Sequence, residues 1–218
     1  MTAALKLQNH DDPLVKARKR QIFLAACRVL ARKSFHQATV KEMALEAGLA
    51  AGSIYVYLQS KDDILLLLAE SMIAELLEAL PALRAQSKGD PRRELLAIMR
   101  ASLDVIDRYR EAFAVLNHEV RYLARRPQYR AALNQITSGY KGALADVLER
   151  GRVMGVIRFE SIPTVVEAIH MLCSGWAGAG LPATTDKETY WREIAALVEG
   201  RLFGHAATRT GKSDNGRR

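Results

Sequence analysis

Two cysteines in 218 residues, Cys27 and Cys173, are too few for a disulfide framework or a four-ligand zinc site. Long apolar runs are missing as well. The longest, Ile64 to Ala69 (ILLLLA), falls far short of the ~18 residues that cross a bilayer and is flanked by Asp63 and Glu70. The opening MTAALKLQNHDD has no apolar signal core and carries acid ahead of its basic cluster. These absences predict a reduced, cytoplasmic chain with no membrane partner. There is no internal repeat, and no nucleophile–base spacing, metal motif or phosphate loop. GWAGAG (175–180) has the wrong glycine order for a dinucleotide loop and no strand before it. His118-Glu119 and the His170/Cys173 pair offer at most two ligands each, so a buried histidine and an inert thiol are expected. No enzyme, cofactor or metal site is expected.

What the chain does have is positive charge at its ends. Its net charge is +8. Residues 1–60 hold nine Lys/Arg (Lys6, Lys16, Arg18, Lys19, Arg20, Arg28, Arg32, Lys33, Lys41) against Asp11, Asp12, Glu42 and Glu46. The tail 208–218 adds Arg209, Lys212, Arg217 and Arg218 against Asp214, leaving the middle close to neutral. A basic end on a neutral body suits attraction to phosphates, as it also suits a plain solvated face.

The local signals are helical almost throughout, predicting an all-α fold of about nine helices. Asp12-Pro13 supplies an N-cap and a first-turn proline. From there Ile22, Ala26, Val29 and Leu30 mark one face of a helix ending near Lys33. Thr39 to Glu42 has capping-box spacing and opens a short helix through Ala47, stopped by Gly48. A third short helix is expected over Ala50–Tyr57, and Ser60 to Asp63 opens a long one to about Gln86. Further helices follow to about Asp107, over Glu111–Leu123, over Gln128 to about Arg150 with a stop at Gly151, over Ser161–Ala177 and over Lys187–Phe203. Gly155–Pro163 is expected as a loop, since a lone strand has nothing to pair with. The divisions expected are 1–60 (core 15–60) as a small basic module, 61–205 as a larger helical body, and 206–218 as a basic, disordered tail.

Two short helices separated by a tight turn at Gly48-Leu49 have the spacing of a helix-turn-helix, whose second helix enters the major groove. ATVKEMALEAGLAAGSIYVYLQSKDDIL (38–65) resembles the N-terminal module of the tetracycline-repressor (TetR) family of bacterial transcription regulators. Thr39, Ala44, Ala47-Gly48, Gly52-Ser53-Ile54-Tyr55, Tyr57 and Ser60-Lys61 stand in register. The resemblance covers about Val15 to Leu68; the rest of the chain shares only helicity and length. It implies that Thr39 bonds a phosphate and that Lys41 reaches a phosphate or base edge. Ala50, Ala51, Gly52 and Ser53 would allow close approach to bases, Tyr55 and Tyr57 would place hydroxyls on phosphates, Val56 would touch a thymine methyl, and Lys61 would hold a further phosphate. Family members often carry polar or basic residues at the positions of Ala50 and Ala51. Their replacement shifts the expected specificity toward Lys41, Ser53, the tyrosines and DNA shape. The KARKR segment (16–20) is expected to contact flanking phosphates.

The same resemblance implies a homodimer on a palindromic operator, the last two helices pairing with their twins. Ile169, Leu172, Gly175, Trp176, Trp191, Ile194, Leu197, Val198 and Leu202 are the candidate interface. Leu103, Ile106, Tyr109, Phe113, Leu116, Tyr122, Tyr140, Leu144 and Met171 would line an apolar effector pocket, with Asn117 and His118 as polar contacts. GSIYVYLQSKDDIL looks most like the branch that responds to fatty acyl-CoA, making an acyl-CoA-like ligand one candidate effector. The expected function is a double-stranded-DNA-binding repressor released by a small apolar molecule. The alternative is a DNA-binding protein with no effector.

Overall fold

The computed structural model describes residues 12–178, 181 and 184–203, and among these every regular element is helical. Helix α1 (Pro13–Leu30) starts where Asp12 accepts from the Leu14 amide at 2.8 Å, with Pro13 in its first turn. Ile22, Phe23, Ala25, Ala26, Val29 and Leu30 form its buried face. Helix α2 (Val40–Glu46) opens on the expected capping box: the Glu42 amide donates to Thr39 Oγ1 at 3.1 Å, and the Thr39 amide to Glu42 Oε2 at 2.9 Å. Gly48, at φ +65, then turns the chain through the left-handed region that a side chain would strain.

Glu42 has a second task, accepting a hydrogen bond from Lys33 just past the end of α1. That bond, followed by those from the Thr39 backbone and hydroxyl, holds its pKa at about 2 against an ordinary 4.5. A carboxyl depressed on folding stabilises the fold above its unfolded pKa, and the contribution fades as pH falls toward the folded value. Wild type should therefore lose stability relative to Glu42→Gln between pH 4.5 and about 2. Thermal midpoints of the two proteins across that window provide the check; a constant difference would contradict it.

The third helix departs from expectation. Residues 50–57 form not an α-helix but one 3₁₀ turn, Ser53–Val56, held by bonds such as Ser53 N to Ala50 O (2.9 Å) and Tyr57 N to Ile54 O (3.0 Å). Ile54 and Leu58 are buried and fix both ends of so short a segment, so the chain takes the tighter i→i+3 pattern.

Helix α3 (Asp63–Gln86) is the central shaft of the body. Helices α4 (Pro91–Arg108) and α5 (Arg110–Leu123) meet at Tyr109, whose backbone leaves helical geometry (φ −119, ψ 34). Helix α6 (Pro127–Val153) runs past the expected stop at Gly151. A β-carbon at Gly151 would collide with the buried Ile157 side chain, so glycine here serves close packing; the chain turns at Gly155 (φ +71) instead. Residues 155–161 form a loop. Helix α7 (Ile162–Ser174) continues into a 3₁₀ turn, Gly175–Ala177, and α8 (Lys187–Leu202) closes the body.

Two apolar cores result. The first joins Ile22, Phe23, Met43, Ile54 and Leu58 to Ile64–Met72 of α3 and to Tyr109, Leu116 and Tyr129. It runs across the division expected at residue 60. The second lies among α3, α4, α6, α7 and α8. The basic tail from 208 falls outside the described residues.

Candidate nucleic-acid interface and effector cavity

The 3₁₀ turn is gripped from inside and open outside. Ile54 and Leu58 anchor it, leaving Tyr55 53% and Val56 66% exposed, with Ala50, Gly52 and Ser53 also at the surface. Ala51 is half-buried, and Tyr57 packs against the first core. Lys41 is exposed on α2. Thr39, also exposed, has its hydroxyl engaged with Glu42, donating to Oε2 at 3.1 Å while accepting from the amide. Its role in the structure is capping. Lys61 donates to the His36 carbonyl at 3.1 Å and lies 4.7 Å over the Phe35 ring, which ties down the loop before α2.

Much of the basic charge in this region is already paired. Arg28 and Arg32 each meet Glu46 at 2.6 Å, and Lys33 meets Glu42, so the end of α1 is stapled to α2. Within KARKR, Lys19 meets Glu70 at 3.2 Å and Arg20 meets Glu75 at 2.5 Å, both on α3. These two hold the module to the body, while the small-residue turn, Tyr55 and Lys41 stay at the surface.

In the body a cavity of about 140 Å³ opens between α3, α4, α5, α6 and α7. From α3 it is lined by Ala69, Met72, Ile73 and Leu76; from α4 by Ser102, Val105 and Ile106; from α5 by Phe113, Leu116, Asn117 and Val120. Leu133, Thr137 and Tyr140 of α6 and His170, Cys173 and Ser174 of α7 complete it. Among the described residues no Lys, Arg, Asp or Glu side chain lines it. His170 has its pKa lowered, first by burial and then by Lys141 nearby, so it is neutral at physiological pH. Burial pushes the Cys173 thiol up to about 12, leaving it an inert thiol.

The family model described as "Bacterial regulatory proteins, tetR family" matches residues 22–68, which span the open turn and its supports. Residues 22–68 carry the N-terminal module of that family. The chain's relatives are named as transcriptional regulators. It is 28% identical over 138 residues to the "Fatty acid metabolism regulator protein" of Bacillus subtilis (strain 168), covering 63% of this chain and 70% of that one. It is 25% identical over 149 residues to "HTH-type transcriptional repressor KstR2" of Rhodococcus jostii (strain RHA1), covering 68% of this chain and 72% of that one. The match to regulator HbdR of Aromatoleum sp. (strain CIB) spans only 44% of that relative. Among solved structures, FadR from Bacillus subtilis in complex with stearoyl-CoA superposes with a TM-score of 0.69 at 24% identity, covering 83% of this chain and 98% of that one. FadR from Bacillus halodurans gives 0.68 at 20% identity, covering 88% and 97%. These structural likenesses are likenesses of fold.

Of the pocket residues expected for the regulator, Ile106, Phe113, Leu116, Asn117 and Tyr140 meet at the cavity. The others lie elsewhere. Leu103 and Leu144 are packed in the second core, while His118, paired with Glu119, Tyr122 and Met171 are exposed. Tyr109 is built into a polar joint. Arg20 donates to its hydroxyl at 2.8 Å, that hydroxyl donates to Glu75 at 2.7 Å, and Phe23 meets its ring edge-on at 4.8 Å. The α3 residues were missed in the sequence, although the charge-free run 64–69 was a sign that this helix is surrounded.

The interface residues expected on the last two helices also divide. Ile169, Trp176, Ile194, Val198 and Leu202 are buried within the chain itself, because the apolar stripe of α8 faces the second core. The Trp176 ring nitrogen donates to Asp107 at 2.8 Å, so this residue is fixed in the protomer's own packing. Leu172, Gly175 and Trp191 are half-buried. Leu197 is 62% exposed, and Met171 on α7 is 67% exposed. Among the described residues no helix is long and apolar enough to cross a membrane, and no group of three or more His, Cys, Asp or Glu is placed to hold a metal.

Proposed function

We propose that the protein is a homodimeric cytoplasmic repressor that grips a palindromic operator through the Gly52–Tyr57 turn and Lys41, and releases it when a small apolar molecule occupies the body cavity. The observation that carries this reading is a shared set of helices. Helices α5 and α6 line the cavity with Phe113, Leu116, Leu133 and Tyr140. At their first turns the same helices hold the DNA module. Tyr109, at the start of α5, meets Arg20 of α1, and Tyr129 of α6 donates to Asp63 at 3.3 Å. Asp63 in turn accepts from the Gln59 and Ser60 amides just past the open turn, at 2.7 and 3.0 Å. A ligand that shifts α5 or α6 therefore moves both struts, and with them the spacing of two reading turns that must sit about 34–36 Å apart in successive major grooves. The twin meets this protomer through the exposed face of α7 and α8, around Met171 and Leu197.

The cavity suits a ring-sized or short-chain apolar effector. An engineered protein cavity of about 150 Å³ holds benzene, close to the 140 Å³ found here. A long acyl chain would require the cavity to lengthen.

Salt dependence of DNA binding tests the grip. Each phosphate neutralised contributes about 0.9 to the log–log slope of affinity against salt. With two copies in a dimer, Lys41→Ala should make that slope shallower by about 1.8, as measured by fluorescence anisotropy on a duplex carrying the inverted repeat upstream of the protein's own gene. An unchanged slope would remove Lys41 from the phosphate contacts.

A further inference from the structure

One polar group on the cavity wall is fully buried with no partner among the described residues. Tyr140 is 2% exposed, and its hydroxyl makes no hydrogen bond among the described residues. Its polar neighbours are Ser102 and Cys173. Each directs its own proton elsewhere: Ser102 Oγ donates to the Ile98 carbonyl at 2.8 Å, and Cys173 Sγ lies 3.8 Å from the Met99 carbonyl. Neither neighbour stands in hydrogen-bonding geometry with the Tyr140 hydroxyl, which keeps an unmatched donor in a mostly apolar enclosure, where an unmade hydrogen bond costs about 1–3 kcal/mol. Native interiors rarely leave such a group unmatched. The other polar groups on the wall are neutral (Asn117, Thr137, His170 and Ser174), and no cation is present to balance an anion buried beside them.

Resting on the reading of this cavity as the effector site, we infer that Tyr140 selects the effector: the ligand carries a neutral hydrogen-bond acceptor, a carbonyl or ether-type oxygen, on an apolar body, and the Tyr140 hydroxyl donates to it. A carboxylate does not enter at this point. The effector class is thus a neutral oxygenated hydrocarbon such as an aryl or alicyclic ketone, and any charged portion of a larger ligand lies outside the cavity.

Three ring compounds of similar size separate the possibilities: ethylbenzene, acetophenone and benzoate, each titrated by calorimetry into the full-length wild-type protein and Tyr140→Phe. Wild type is expected to bind acetophenone at least as tightly as ethylbenzene, although the ketone gives up more hydration on leaving water, and to reject benzoate. In Tyr140→Phe the acetophenone-to-ethylbenzene affinity ratio should fall about tenfold while ethylbenzene affinity is retained. A merely structural tyrosine would not move that ratio. Removing an unmatched hydroxyl should also leave the ligand-free variant at least as heat-stable as wild type. A wild-type preference for ethylbenzene over acetophenone, or an unchanged ratio in Tyr140→Phe, would overturn the role of Tyr140 while leaving the apolar cavity as the effector site. Benzoate binding as tightly as acetophenone would overturn the exclusion of anions. Failure of all three to bind at millimolar concentration would overturn the cavity reading itself.

Discussion

Ser53→Glu should weaken operator binding by about 100-fold or more while leaving the protein's heat stability almost unchanged. Ser53 opens the 3₁₀ turn and is exposed, beside Gly52, where even an added β-carbon would meet nothing within 4 Å. A carboxylate here disturbs no packing, and surface changes of this kind stay within about 0.5 kcal/mol. Against DNA the effect is quite different. The turn carries no charge of its own from residue 50 to residue 58, so a new anion would face phosphates with no cation within the turn to offset it. Juxtaposed like charges across an interface cost several kcal/mol, and 100-fold corresponds to about 2.7 kcal/mol. Ser53→Gln, equal in size and neutral, separates charge from bulk and should lose far less. Anisotropy titration at fixed salt measures both; operator affinity retained within threefold in Ser53→Glu would place the DNA on another face.

Phe23→Ala should lower stability by about 3–5 kcal/mol, the range for emptying a buried aromatic site. Phe23 is fully buried in the first core, stands edge-on to Tyr109 and has the Arg20 guanidinium 5.0 Å from its ring centre. Its loss opens a cavity at the joint between α1 and the α4–α5 break. At about 2–4 °C per kcal/mol for a chain of this size, the thermal midpoint should fall by roughly 10 °C. Because the first core is continuous from Ile22 to Tyr129, the whole calorimetric transition should shift. A new low-temperature transition with the main one left in place would show that the module unfolds separately from the body.

Elements decided by neighbours in sequence are legible from the residues alone. Asp12-Pro13, the Thr39–Glu42 capping box and Gly48 act within one turn of chain, and their residue types carry the geometry. The 3₁₀ form of the Ser53–Val56 turn is not legible, because it depends on Ile54 and Leu58 finding places in a core shared with α1 and α3. Charge misleads in a related way. Counting Lys and Arg in residues 1–60 gives a strongly basic module, yet Arg20 and Lys19 are matched by Glu75 and Glu70 from α3, outside the span that was counted. Helical periodicity marks Ile194, Val198 and Leu202 as one apolar stripe without saying which neighbour covers it; the protomer's own second core does. The cavity is half legible for the same reason. Phe113, Leu116 and Tyr140 stand on apolar faces, but so do Leu103 and Leu144, and only the packing of five helices separates wall from core.

The most direct test is a DNase footprint of the full-length protein on the DNA flanking its own gene, with wild type and Ser53→Glu run side by side. Wild type should protect an inverted repeat with half-site centres about one helical turn apart, or a multiple of it, and Ser53→Glu should leave the same bases open at equal concentration. Uniform protection without sequence preference, or an identical footprint from both proteins, would contradict the assignment of the Gly52–Tyr57 turn as the element that reads an operator.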